Sequence, residues 1–347
     1  VQDHVKRDLF FVATEFGIFF TVDGGSKWIK LQGGVPTISF RDLAIQRREN
    51  DLVGASFGRG FYVLDDYTPL RQIDEAAMDR EAMLFPVRTT PWYIQRRPLG
   101  GSGKADQGAA YFVADNPPFG AVFTYHLADG MKSLEEMRRE QEKKREKDWK
   151  DTPFVGYDEL ERERRQPKAA ILLTVRDAEG NTVRTISGPA KAGFHRVAWD
   201  LTYPTTDAIR EIPDDQRRRR RGGDPDSGFM APPGAYTVTL SKRVDSQVTD
   251  LAGPIDFEVV RVFGGVLEGS PPTETAAYMQ QVAELQRAVS AASAVVNLGF
   301  DRIENLEKAL ARSQTEPGGL DSELEALKQR LYDVDKALAG NRSVRAM

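Results

Sequence analysis

Two stretches 43 residues apart constrain the fold of this chain more than any other feature. "DLFFVATEFGIFFTVD" (Asp8 to Asp23) and "DLVGASFGRGFYVLDD" (Asp51 to Asp66) align without a gap, matching at both ends, at Leu9/Leu52 and at Gly17/Gly60. Each reads as strand, tight turn, strand. In the first copy Phe10 to Ala13 and Ile18 to Val22 are rich in β-formers, and Gly17 supplies the permissive backbone that a reversal needs. "FRDLAIQ" (Phe40 to Gln46) precedes the second copy as an alternating strand, and "WIKLQ" (Trp28 to Gln32) follows the first.

A period of roughly 40 to 45 residues carrying four short strands is the pattern of a β-propeller blade. Two blades do not close a ring, which takes about 4 to 8. The remaining blades are therefore expected from a longer chain or from another subunit. The opening "VQDHVKRDLFFVATE" runs at once into strand-like sequence and reads as the interior of a longer polypeptide.

Between the strands of the first copy lies "TVDGGSKW" (Thr21 to Trp28), with Ser/Thr-x-Asp-x-Gly-x-x-Trp satisfied by Thr21, Asp23, Gly25 and Trp28. Asp23 is placed to accept N–H bonds across its own turn, Gly24 and Gly25 to take positive φ, and Trp28 to pack beneath. Those are structural roles, not acid or metal chemistry. The second copy keeps Asp66 but has Leu70 and Arg71 near the tryptophan position. These residues resemble the Asp-box (BNR) propellers, and specifically large secreted bacterial proteins with sortilin-like repeats that are often labelled glycosyl hydrolases; "GASFGRGFYVLDD" (Gly54 to Asp66) is similar to their last blade. The resemblance implies a secreted or periplasmic bacterial location and, in the parent protein, carbohydrate chemistry carried by the propeller as a whole.

Residues 74–119 mix Pro, Gly and basic residues and read as a linker wrapping a domain join. Strand signals return at 120–127, 169–177, 181–187, 193–201, 234–240 and 255–260, the spacing of an antiparallel sandwich over 120–265. "AGFHRVAWDL" with "PPGAYTVTL" resembles the Ig-like domain of flagellar hook-capping proteins, which implies an assembly or adhesion module. Inserted at 131–166 are eleven Lys/Arg and eleven Asp/Glu, balanced as on a solvated helix, with a short second helix after Pro153. From about residue 270 the β character ends. Tyr278, Val282, Leu285, Val289, Ala292, Val296, Gly299, Ile303, Leu306 and Leu310 form one heptad seam, capped by Thr273, and Leu324, Leu327, Leu331, Val334 and Leu338 form a second. An antiparallel helical hairpin over 270–342 follows, with a spare apolar stripe for docking or homo-oligomer formation.

The fold expectation is thus mainly β with a C-terminal α part: one or two terminal propeller blades over 1–73, an Ig-like sandwich and a helical hairpin. With 48 Lys/Arg against 52 Asp/Glu the net charge is −4, so no overall field favours nucleic acid. The absence of cysteine excludes disulfides, thiolate metal sites and a cysteine nucleophile. No stretch reaches the roughly 18 apolar residues of a membrane span. The three histidines, His4, His126 and His195, lie in separate segments without metal-ligand spacing, and no cofactor is expected. Alternation puts His195, Val197 and Trp199 on one strand face, so His195 reads as a packed or edge residue. The run Arg217, Arg218, Arg219, Arg220 and Arg221 is an anionic-ligand candidate, nearly cancelled by neighbouring acids. The expected function is non-catalytic binding or assembly, with a glycan or protein ligand. The alternative is part of a glycoside hydrolase whose paired carboxylates lie in other blades, since Glu15, Asp65 and Asp66 have no identified partner here. An intracellular scaffold built on the heptad seam is a third reading, and it leaves both resemblances unexplained.

Overall fold

The computed structural model describes residues 1–95, 114, 116–209, 226–264, 269–314, 316 and 318–345. It is mainly β with a C-terminal helical part, and it divides into two units: Val1–Leu201 with Pro233–Gly264, and Thr202–Pro232 with Gly265–Met347.

The two sequence copies form two small antiparallel sheets in the first unit. One holds β1 (Phe10–Thr14), β2 (Gly17–Thr21) and β3 (Ile29–Lys30); the other holds β4 (Phe40–Gln46), β5 (Asp51–Ser56) and β6 (Phe61–Leu64). Gln2 bridges to Phe10, so the first residues lie beside β1 where β4 lies beside β5. Both sheets contribute to one core of Leu9, Phe11, Ile18, Phe20, Phe40, Leu43, Leu52 and Tyr67. Gly54 allows the close approach: a Cβ there would sit 2.9 Å from Ile18 Cδ1.

The gapless sequence alignment does not survive in space. The first hairpin closes Thr14 on Gly17 around two residues, whereas in the second Ala55 pairs with Phe61 and Ser56 N–H donates to Gly60 O, leaving three residues in the loop. Matching the glycines keeps β2 on β6 at 43, but β1 then falls on β5 at an offset of 42. A one-residue slip exchanges strand faces. In space, therefore, the buried Phe11, Ile18 and Phe20 correspond to Val53, Phe61 and Val63, which turn away from the shared core, with Phe61 77% and Val63 54% exposed. Sheet two meets sheet one instead through Leu52, Gly54, Tyr62 and Leu64, the counterparts of Phe10, Val12, Phe19 and Thr21. The front of one sheet thus lies on the back of the next.

A 3-10 helix, Thr68–Gln72, and the short helix α1 (Glu75–Met78) lead onward. The stretch read as a linker contains β7 (Ala82–Leu84) and β8 (Thr90–Trp92), and both are built into sheets. β7 pairs with β9 (Ala121–Leu127), which pairs with β12 (Gly193–Trp199). The facing sheet runs β11 (Thr182–Gly188), β10 (Ala170–Asp177), β15 (Gly234–Val244), β16 (Gln247–Arg261) and β8, the last contact being parallel. The strand expected at 255–260 is the end of the 15-residue β16, which turns back on β15 through positive-φ Asp245 and Ser246. Aromatic rings join the two sheets: Phe123 lies 5.5 Å from Phe257, and Trp199 lies 5.1 Å from Tyr236. Gly120, at φ +103°, passes so close to the Trp199 carbonyl that a Cβ would lie 1.8 Å from its oxygen.

The charged insertion forms α2 (Leu134–Lys147) and α3 (Tyr157–Arg165). Ser133 and Glu136 close a reciprocal cap at the start of α2, and the Arg138 guanidinium grips Glu163 at 2.7 Å and Glu142 at 2.6 Å, tying the helices together.

In the second unit β13 (Thr202–Pro204) pairs with β14 (Ser227–Met230). Helix α4 (Pro272–Ala311) runs antiparallel to α5 (Leu320–Ala339): Phe300 meets Tyr332 at 4.9 Å, Glu307 accepts from Lys328 at 2.8 Å, and Gly299 admits the Leu331 side chain. The cap expected at Thr273 falls instead on Pro271, because Pro272 fits the first helical turn, where no N–H is needed. Val296 and Ile303 are buried as the seam predicts, but Tyr278 and Leu285 are exposed, with Ala276 and Ala283 buried in that half of the helix.

Candidate functional site

At the Thr21–Trp28 turn the Thr21 hydroxyl, fully buried, donates to Asp23 Oδ1 at 2.6 Å and accepts the Gly25 N–H at 3.0 Å. The Asp23 carboxylate accepts the Lys27 N–H at 3.1 Å, while Gly24 and Gly25 take φ of 74° and 107°. The Thr21 hydroxyl, followed by these N–H groups, lowers the Asp23 pKa. Trp28 differs from expectation: its ring borders Gly25 but is 46% exposed rather than packed beneath the turn. A single strand pair at β3 supplies too little neighbouring surface to cover an indole.

The polar centre of the repeats is elsewhere, at Asp3, whose side chain is wholly buried. It accepts two bonds from Arg71, from Nε at 2.9 Å and Nη2 at 2.8 Å, and one from the Tyr67 hydroxyl at 2.6 Å. The N–H groups of Lys6 and Val5 complete it at 2.7 and 3.2 Å. Arg71 also reaches Asn50 Oδ1 at 2.7 Å, and Lys6 Nζ donates to Ile73 O at 3.1 Å. Burial works to raise the Asp3 pKa, but Arg71, Tyr67 and Lys6 outweigh it and hold the carboxyl well below the usual range. Burial and the Asp3 bond push the Tyr67 phenol well above its usual value. This cluster clasps the first residues of copy one to the end of copy two. Sequence reading marked Arg71 only as a departure from the turn motif, since its partner lies 68 residues away.

The other acidic candidates do not converge. Glu15 sits exposed in the β1–β2 turn. Asp66, at φ 45°, accepts from the Thr68 hydroxyl and N–H, while its own N–H donates to Asp51. Burial, and then the Asp51 charge, raise the Asp65 pKa. The carbonyls of Asp65 and Asp66 both accept from the Arg196 guanidinium, so this corner anchors β12 against the repeat sheets.

His195 packs by Tyr125, ring centres 5.2 Å apart, with Nε2 2.6 Å from Lys191 O. His126 is buried on the opposite face of the sheet under Phe194 at 4.8 Å; its Nδ1 has no partner in the protein, and burial and then His195 lower its pKa. His4 lies 3.6 Å from Asp3. Among the described residues no three acidic or histidine side chains form a metal-binding group. Arg217 to Arg221 lie outside the described residues.

A cleft of about 420 Å³ opens where the insertion leaves the sheets, lined by Glu81, Lys132, Ser133, Gln166 and Lys242. Several of its polar groups are engaged: Lys242 with Glu81 across the cleft, Lys132 with Glu140, and Gln166 with the Leu134 N–H. The feature sequence reading passed over is the connection from α2 to the first residue of α3, where Trp149 is 97%, Phe154 67% and Tyr157 81% exposed, the last two in edge contact at 5.1 Å.

No protein-family model matches the sequence, and no curated protein does. Among solved structures, that of PorZ, described as an essential bacterial surface component of the type-IX secretion system of Porphyromonas gingivalis, is similar at 13% identity and a TM-score of 0.19. The match covers 75% of this chain but 22% of that one. No helix among the described residues is long and apolar enough to cross a membrane.

Proposed function

We propose that this chain is a non-catalytic binding and assembly region of a secreted bacterial protein, with two blades of Asp-box propeller type, an Ig-like sandwich and a helical hairpin. One observation carries the non-catalytic reading: Asp3, Asp23 and Asp66 are engaged with the protein itself. Asp3 accepts bonds from Arg71, Tyr67 and two backbone N–H groups, and Asp23 and Asp66 hold their own turns. A glycosidase needs instead two carboxyl groups about 5 to 10 Å apart, opening on a cleft. The stacking of sheet front on sheet back supports the blade reading, because successive blades of a ring meet in that way.

The binding role is supported by Trp149, Phe154 and Tyr157, held out on a helical insertion where aromatic side chains stack on sugar rings or fill pockets of a protein partner. A glycan array and a hydrolysis screen, both run on this chain, test the proposal. Retention of a glycan without turnover is the expected result, weakened by Trp149→Ala with Tyr157→Ala. Turnover by this chain alone would sink it.

A further inference from the structure

The outer face of the second sheet is an apolar surface that the repeat geometry leaves uncovered, most fully at Phe61 and Val63. Val53, Ala55, Phe61 and Val63 line it, and Arg41 lies over Phe57 at its end, 5.1 Å from the ring centre. In the first sheet the spatially equivalent residues, Phe11, Ala13, Ile18 and Phe20, pack on the back of the second sheet. By the same rule the exposed front of sheet two fits a back like that of sheet one. The chain carries one: Phe10, Val12 and Phe19 on β1 and β2, with Val12 38% exposed.

We propose that the front of sheet two receives the back of sheet one from a second copy of this chain, front to back, repeating between molecules the interface already present within one. This rests on the blade reading above and names the partner for its open face. Composition favours the match. Within the chain, Phe11, Ile18 and Phe20 meet Leu52, Gly54 and Tyr62; between copies, Val53, Phe61 and Val63 would meet Phe10, Val12 and Phe19. Each set holds three aromatic rings; Leu64, which adds to the contact within the chain, has as its counterpart Thr21, already buried in its own turn. Smaller residues on one side answer larger ones on the other, so the layer keeps its thickness. The contact is heterologous: each copy uses one front and one back, so copies can add head to tail until a ring closes.

Sedimentation velocity on the whole chain, from micromolar to hundreds of micromolar, tests this with Phe61→Glu on the front and Val12→Glu on the back. Wild type should associate. Each variant alone should associate at least about 100-fold more weakly, because a carboxylate would be desolvated without a partner. An equimolar mixture of the two variants should give a one-to-one dimer, since the intact front of Val12→Glu meets the intact back of Phe61→Glu. If either glutamate disturbs folding, read by circular dichroism, Phe61→Thr and Val12→Thr replace them. A wild type that stays monomeric overturns the proposal, assigning the face to a sheet from elsewhere and leaving the glycan-binding test untouched. Association that survives both variants, as a helical-hairpin dimer would, or a mixture that fails to pair, overturns it too.

Discussion

Arg71→Ala should be the most damaging single change among the side-chain hydrogen bonds and ion pairs of the repeats. The substitution leaves the Asp3 carboxylate, fully buried, with the Tyr67 hydroxyl and two backbone N–H groups but without the guanidinium. Removing one partner of a buried ion pair costs about 3 to 5 kcal/mol, and with Arg71 18% exposed and Asp3 still hydrogen-bonded the lower end, about 3 kcal/mol, applies. With a urea dependence of about 1 to 3 kcal/mol per molar, the midpoint should fall by at least about 1 M at neutral pH. Because the folded Asp3 pKa is depressed, its contribution is fully present above the unfolded carboxylate value of about 3.9 and is lost as pH falls through the lower folded value. The gap between wild type and Arg71→Ala should therefore narrow below about pH 4. Urea titrations followed by circular dichroism at neutral and acidic pH read both quantities. A neutral-pH shift under about 0.3 M, or a gap unchanged in acid, would refute the clasp as a charge-dependent tie.

Three further outcomes follow from the same reasoning. His126 has a depressed pKa, so wild type should lose stability as pH falls below the unfolded histidine value of about 6.5, by up to about 1.4 kcal/mol per pH unit; His126→Phe, which keeps the stack on Phe194, should remove that slope in thermal melts. Gly120→Ala drives a Cβ into the Trp199 carbonyl and should cost more than about 3 kcal/mol, read as loss of soluble protein, whereas Gly264→Ala, with nothing within 4 Å, should be silent. Asp23→Ala should lower the melting temperature less than Arg71→Ala, with the difference from wild type shrinking as pH falls through the carboxylate range, since Asp23 also titrates below its usual value.

Local signals in the sequence were legible and distant ones were not. Alternation located β4 to the residue, and the balanced charge at 131–166 read as the two helices joined by Arg138. The linker reading of 74–119 missed β7 and β8 because three-residue strands carry no period and draw their identity from partners far along the chain, β9 and β16. The heptad seam placed the pairing half of α4 through Val296 and Ile303, while Ala276 and Ala283 were passed over because small residues mark close approach only when a neighbour is known. At the Thr21–Trp28 turn Asp23 accepts the Lys27 N–H and Gly24 and Gly25 take positive φ, contacts within a few peptide units, whereas the bonds of the Thr21 hydroxyl to Asp23 and Gly25 were not read from the sequence. Asp3 with Arg71 was invisible because 68 residues separate them and neither belongs to a motif.

The second hairpin loop, one residue longer than the first, acts as a phase shift. Strand β6 keeps its hydrophobic alternation, yet the extra residue decides whether that alternation points into the shared core or out of it. A lineage could therefore convert a core-forming strand into a contact surface by a single insertion in a turn, without replacing any apolar side chain. Aligned by letters, Leu9 and Leu52 share the core, while Ile18 and Phe20 of β2 lie inside and Phe61 and Val63 of β6 lie outside.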